Sequence, residues 1–308
     1  ALNIPTLVLT PRTNLVNQTQ EASQTSLFDF EPGQIGIYHS DVNPAQREAA
    51  LRSQVLITTY GSYITLVKSG RLKPNDRPII ILDEVHHARG DVIRAMVHDL
   101  LGNVYVQGWT ATDTFITGQT IGGYVFKGVP PIHVTSVPQA VSQKEITPYK
   151  NIIVETHIDP RIRVVGGREF TSSELDAIAR KAGRNKAAVD HFLNFEDPET
   201  GLRLRDMKYI WYCAGIDHAE EVAEMLTDIL GENHALAVSG ETPKKDLEKI
   251  LRMHREGELP ILANADLLIE GFDSPSTQLA MMLRPTRSPI IAEQTGGRIL
   301  KSSPGRRI

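Results

Sequence analysis

Ile79-Ile80-Ile81-Leu82-Asp83-Glu84-Val85-His86-His87 is the stretch from which the fold can be read. Four apolar residues in a row are too few for a helix and do not alternate with polar ones, so they predict a short strand covered on both faces. Such strands belong inside parallel sheets. Runs of the same kind occur at Thr6-Leu7-Val8-Leu9, Ile35-Gly36-Ile37-Tyr38, Val55-Leu56-Ile57-Thr58 and Val104-Tyr105-Val106. Between them, segments of helical spacing cover Asn14 to Ser26, Pro44 to Arg52 and Val92 to Leu101. Strand alternating with helix predicts an α/β fold built on a parallel sheet.

From Phe115 to Arg205 the pattern loosens around Gly122-Gly123, Pro130-Pro131 and Gly166-Gly167, and a helix is expected over Ser172 to Asn194. Alternation then resumes with strands at Tyr209 to Tyr212, Ala235 to Val238, Ile261 to Ala263 and Gln278 to Leu283, and helices at Ala219 to Leu230 and Pro243 to Arg255. The expected organisation is a first α/β domain at 1–140, a connection with a helix at 141–206, and a second α/β domain at 207–308. With 308 residues and 41% hydrophobic content, the chain can bury two separate cores.

The formal charge of -4 does not by itself point to nucleic acid, but a local basic run does occur. Arg284, Arg287, Arg298, Lys301, Arg306 and Arg307 are opposed only by Glu293. A single cysteine, Cys213, rules out an intrachain disulfide and fits a reducing compartment. No apolar stretch approaches the ~20 residues that cross a bilayer, so no membrane partner is expected. The expected location is cytoplasmic, at the nucleoid in a bacterial or phage setting.

Asp83 and Glu84 follow a buried strand directly, and in open parallel sheets ligands sit beyond the carboxyl ends of the strands. Two acids at a core strand are costly unless a cation or hydrogen bonds compensate them. Mg2+ with a nucleotide phosphate is the natural occupant: Asp83 would hold the ion and Glu84 would orient and deprotonate an attacking water. The bland alternative makes both acids helix caps. Zinc at His86-His87 is disfavoured, because neighbours in an extended segment point to opposite sides and no further ligand lies at usual spacing. Tyr60, Tyr63 and Trp109 could stack on bases, but core packing is the expected role of each.

Asp83-Glu84-Val85-His86 resembles the DExH element of superfamily-two helicases, and companion motifs follow in the family's order. Leu7-Val8-Leu9-Thr10-Pro11-Arg12 resembles motif Ia and Ile57-Thr58-Thr59-Tyr60 motif Ib; the resemblance implies nucleic-acid contacts at Pro11, Arg12, Thr58 and Thr59. Thr110-Ala111-Thr112 resembles the motif that couples nucleotide state to nucleic-acid engagement. Tyr209 to Leu226 is similar to motif IV, and Asn264 to Pro275 to motif V, with Gly271 and Asp273 at nucleotide-binding positions. Gln294-Thr295-Gly296-Gly297-Arg298-Ile299-Leu300-Lys301 resembles motif VI and makes Arg298 the candidate arginine finger beside Gln294. Its usual second arginine is Lys301 here, which supplies charge without a bidentate fork. The resemblance thus implies two RecA-like domains in tandem, ATP and Mg2+ as cofactors, and Asp83, Glu84, Gln294 and Arg298 as catalytic residues. His86, Gly271, Asp273 and Lys301 would meet nucleotide.

Arg284-Pro285-Thr286-Arg287-Ser288 is similar to the lead-in found in restriction-enzyme motor subunits and phage DNA helicases, which favours DNA over RNA as partner. A motor of this class also needs a Gly-Lys-Ser/Thr phosphate loop, and no such string occurs. In relatives that loop precedes motif Ia, so the expectation is a first domain truncated at its N-terminus, inactive alone and carrying an unpaired strand edge. The alternative is a non-enzymatic helicase-like module that docks nucleic acid or protein. A metabolic nucleotide-binding enzyme would need a Gly-x-Gly-x-x-Gly fingerprint, which is absent.

Overall fold

A computed structural model of the chain describes residues 4–25, 31, 33–115, 117–153, 170–171, 174–175, 179, 183–265, 267–268, 276–286 and 295. Two compact units divide the chain, Ala1–Ile132 and His133–Ile308. In the first, strands β1 (Thr6–Thr10), β2 (Ile35–Tyr38), β3 (Val55–Thr59), β4 (Ile79–Leu82) and β5 (Tyr105–Gly108) form one sheet in the order β2-β3-β1-β4-β5. Every pairing is parallel, with Leu7 opposite Leu56 on one side and Ile80 on the other. Helices α1 (Thr13–Thr25), α2 (Pro44–Ala50), α3 (Tyr60–Lys68) and α4 (Asp91–Leu100) follow the first four strands in turn.

Leu7, Leu9, Leu56, Ile57, Ile80 and Leu82 are fully buried, as strands inside a two-faced sheet require. β5 departs from that expectation: Tyr105 at its start is 59% exposed, and Trp109, just past its end, 57%. Trp109 is therefore not a core residue. Tyr105 opens β5 and Trp109 directly follows it, and β5 is the strand at the margin of the sheet, paired with β4. Tyr60 and Tyr63, at 3% and 1% exposure, do pack into the core. They sit on α3, a helix that the apolar run up to Tyr60 had concealed.

Two local devices hold the opposite end of this sheet. Gly36 lies so close to α2 that a Cβ would sit 2.5 Å from the Ala50 Cα. Arg77, almost fully buried, donates from Nη1 to the carbonyls of Ser53 (2.7 Å), Gln54 (2.8 Å) and Thr6 (3.3 Å), and from Nη2 to Leu51 (3.0 Å). The guanidinium fork thus ties the approach to β3 to the start of β1.

The second unit holds strands β6 (Tyr209–Tyr212), β7 (Ala235–Ser239), β8 (Ile261–Ala265) and β9 (Leu279–Met282), again all parallel, in the order β7-β8-β6-β9. Short helices α5 (Ile121–Tyr124) and α6 (Val137–Ser142) lie earlier in the chain, and α7 (Arg184–Asn194), α8 (Ile216–Leu230) and α9 (Lys244–Glu256) belong to this unit. Of the helix expected over Ser172 to Asn194, the described residues Leu175 and Ala179 are helical, and α7 itself starts behind Gly183, whose φ of 87° is left-handed and interrupts a right-handed helix. One core layer stacks Phe192 of α7 on Tyr209 and Trp211, with ring centroids 4.5 and 5.7 Å apart. The other gathers Ile210, Tyr212, Val238, Leu259, Leu262 and Leu268.

Three buried polar groups complete this unit. His218 Nδ1 accepts from the Ala214 amide, which leaves Nε2–H to donate to Asn185 Oδ1 at 2.9 Å and links α8 to α7. His254 on α9 donates from Nδ1 to the Leu259 carbonyl, so its Nε2 accepts from the Thr277 hydroxyl. Asn264, at 0% exposure, accepts the Leu268 amide through Oδ1 and closes the turn after β8. Among the described residues no helix is long and apolar enough to cross a membrane.

Candidate active site

The carboxyl ends of β1, β3, β4 and β5 carry the sequence-predicted residues of the first unit. β1 leads into Pro11-Arg12, with the Thr10 hydroxyl donating to the Arg12 carbonyl and bending the chain into α1. β3 ends in Thr58 and Thr59. Thr59 caps α3, its hydroxyl oxygen accepting the Ser62 amide at 3.1 Å. Thr58 is fully buried and its hydroxyl donates to the Tyr38 carbonyl at 2.6 Å. Of the four candidate nucleic-acid contacts, Pro11, Arg12 and Thr59 therefore retain exposed surface.

Beyond β4 the chain turns sharply. The Asp83 amide still donates to the Leu9 carbonyl, whereas Glu84 adopts a left-handed conformation (φ 47°, ψ 51°). A β-carbon resists that conformation, at a cost of roughly 1–2 kcal/mol, so the surroundings must hold it. Glu84 stands at the N-cap position of the following 3-10 turn, Val85–Arg89, but makes no capping hydrogen bond with its side chain. The capping alternative thus loses its basis for Glu84. Because Val85–Arg89 is helical and not extended, His86 and His87 do not point apart; their rings lie 4.5 Å from each other. Among the described residues no group of three or more His, Cys, Asp or Glu side chains could hold a metal ion.

His86 joins the acid pair to the next motif. Its Nδ1 lies 2.9 Å from Thr110 Oγ1 and 3.4 Å from Glu84 Oε2. The Thr110 hydroxyl in turn donates to the Thr112 carbonyl, and the Val85 amide donates to the Trp109 carbonyl. Glu84, His86, Thr110 and Thr112 therefore form one connected group, while Ala111 between the threonines is exposed. Burial raises the Asp83 carboxyl above the usual aspartate range; the Glu84 amide and the nearby His87 oppose that shift in part. A desolvated carboxylate fits a cation that brings other ligands with it. Mg2+ binds in that way, through one or two carboxylates, waters and phosphate oxygens.

One residue of this site carried no sequence signal for the contact it makes. The Tyr60 hydroxyl donates to the Asp83 carbonyl at 2.8 Å, a contact across 23 positions that no local spacing announces. In the second unit, Gly271, Asp273, Gln294, Arg298 and Lys301 lie outside the described residues.

Comparisons with known proteins place each half of the chain. Residues 2–114 match the family model "Type III restriction enzyme, res subunit", and residues 187–303 match "Helicase conserved C-terminal domain". A 51.5 kDa protein of a Lactococcus phage (isolate 7-9) is 23% identical over 226 residues, which cover 72% of this chain and 46% of that protein. The DNA 3'-5' translocase XPB2 of Sulfurisphaera tokodaii is 24% identical, with 97% of this chain and 70% of the translocase covered. Among solved structures, a fragment of a putative HsdR subunit of a type I restriction enzyme from Vibrio vulnificus superposes with a TM-score of 0.64. It is 18% identical, and the match covers 97% of this chain and 50% of that one. This likeness establishes the fold, two RecA-like parallel-sheet domains in tandem. The chain spans about half the length of the phage protein and of the restriction-enzyme fragment.

Proposed function

We propose that this chain, which belongs to the superfamily-two helicases and translocases, is the two-domain part of a motor that couples ATP hydrolysis to movement along nucleic acid, DNA in preference to RNA. The observation that carries the reading is the acid pair at the carboxyl end of β4, tied through His86 to Thr110 and Thr112. In this reading Asp83 holds Mg2+, which when bound neutralises charge on the nucleotide phosphates. Glu84 orients the attacking water and takes its proton. His86 sets the Glu84 carboxylate and reports its position to Thr110-Ala111-Thr112. Pro11, Arg12 and Thr59 touch the nucleic-acid backbone, with Thr58 holding Thr59 in place from inside the fold. Gln294 and Arg298 complete the catalytic set, and Gly271, Asp273 and Lys301 meet the nucleotide.

DNA is favoured by the Arg284-to-Ser288 lead-in and by relatives whose names are those of a DNA translocase and a restriction-enzyme subunit. ATP binding in this reading needs a phosphate loop, and the 308 residues contain no Gly-Lys-Ser/Thr string. The test is therefore made on the product of the whole reading frame that contains these residues. DNA-stimulated ATP hydrolysis that disappears in Glu84→Gln, with DNA affinity falling steeply as salt rises, is the expected result. Absence of hydrolysis in the unaltered product would refute the motor and leave a module that docks nucleic acid or protein.

A further inference from the structure

We propose that Tyr60 is a positioning residue of the hydrolytic turn, its hydroxyl fixing the Asp83–Glu84 peptide and so the direction of the Glu84 carboxylate. This rests on the motor reading above and adds to it a residue outside the acid pair. The parallel ladder between β1 and β4 ends at Leu82, so the next peptide leaves the sheet. Its carbonyl, that of Asp83, accepts the Tyr60 hydroxyl at 2.8 Å. Rotation of that peptide changes Asp83 ψ and Glu84 φ together, and Glu84 is the residue held in the left-handed region. Beside the Asp83 and Val85 amides, which donate to the Leu9 and Trp109 carbonyls, this hydrogen bond helps to secure a strained conformation and the direction in which a carboxylate leaves the backbone.

Tyr60 is suited to this by its placement. It is 3% exposed, and burial, with Asp83 and Glu84 adding to it, pushes its ionisation far above the ordinary tyrosine range, so the hydroxyl remains a donor. It is also the first residue of α3, directly after Thr59, whose own hydroxyl oxygen caps that helix. The segment that faces nucleic acid in the proposed motor and the clamp on the hydrolytic turn are thus neighbours in sequence. A strand that shifts Thr59 moves the donor that holds Asp83.

The same helix supplies a control. Tyr63 is equally buried, but among the described residues its hydroxyl has no hydrogen-bond partner, so Tyr63→Phe removes the same atom without removing a bond. Tyr60→Phe and Tyr63→Phe are compared in the whole reading-frame product by DNA-stimulated ATP hydrolysis, and in the 308-residue chain by hydrogen exchange at Glu84 and Val85. Loss of one buried hydrogen bond in the turn is expected to lower kcat about tenfold in Tyr60→Phe, with KM for ATP within about twofold of the parent. Exchange at Glu84 and Val85 should quicken in the same variant, and Tyr63→Phe should match the parent in every readout. A Tyr60→Phe kcat within about twofold of an active parent overturns the positioning role while leaving the motor intact. Equal effects of the two substitutions overturn it as well, because the cause is then general softening of α3. An inactive parent refutes the motor reading and this inference with it.

Discussion

Arg77 provides the sharpest test of how the first unit is held together. Replacing it with methionine keeps an apolar stem of similar length and removes the donors that serve the carbonyls of Leu51, Ser53, Gln54 and Thr6. Gln54 O retains the Thr6 amide at 2.8 Å, so the loss falls mainly on Leu51 O and Ser53 O. A buried acceptor deprived of its donor costs about 1–3 kcal/mol, which sets roughly 2–6 kcal/mol for the two. Removing the charge also relieves the desolvation of a guanidinium that is 4% exposed, so the expected loss lies in the lower half, about 3 kcal/mol. Urea unfolding followed by far-ultraviolet circular dichroism measures it; with a slope of about 2 kcal/mol per molar, the midpoint of the first unit should fall by about 1.5 M. Trp211, fully buried in the second unit, reports that unit by fluorescence and should keep its midpoint. Arg77→Lys should also destabilise, because one ammonium cannot span the carbonyls that the planar fork reaches. A shift below about 0.5 M in Arg77→Met would refute the claim that this guanidinium fastens the sheet.

His254 makes the second unit acid-sensitive. Burial holds its pKa at about 4 against an ordinary 6.5, so between those values the unfolded chain binds a proton that the folded chain refuses; stability is complete above pH 6.5 and falls as pH drops toward 4. At pH 5 the loss should be about 2 kcal/mol by Trp211 fluorescence, and a His254→Gln variant that retains the same pH slope would contradict the assignment. Asp83→Asn should abolish hydrolysis yet raise the melting temperature measured without nucleotide or Mg2+, since it removes a carboxylate whose charge burial disfavours; an unchanged or lower melting temperature would count against a desolvated site. Gly36→Ala forces a Cβ onto the Ala50 backbone and the Ser53 hydroxyl, and should cost about 1–3 kcal/mol in the first unit; a neutral result would show that α2 can retreat.

Local chemistry carried much of this protein's organisation. Short β-branched runs alternating with helical spacing sufficed for two parallel α/β units, because a strand covered on both faces can contain little but apolar residues, as Leu7, Ile80 and Leu262 do. The acid pair was legible for the same reason: carboxylates that interrupt such a run at its end need a purpose. What the sequence could not express was any relation between distant positions. Trp109 reads as a core tryptophan until β5 is found at the sheet margin, and the order of strands depends on pairings no local segment encodes. His86-His87 reads as extended because the strand runs up to Asp83, whereas the left-handed Glu84 starts a 3-10 turn that brings the two rings together. Arg77 resembles any loop arginine, and Tyr60 any helix aromatic, since their partners lie 23 or more residues away. Tertiary structure alone decided those contacts, because a buried donor's role depends on which acceptor the packed chain sets before it.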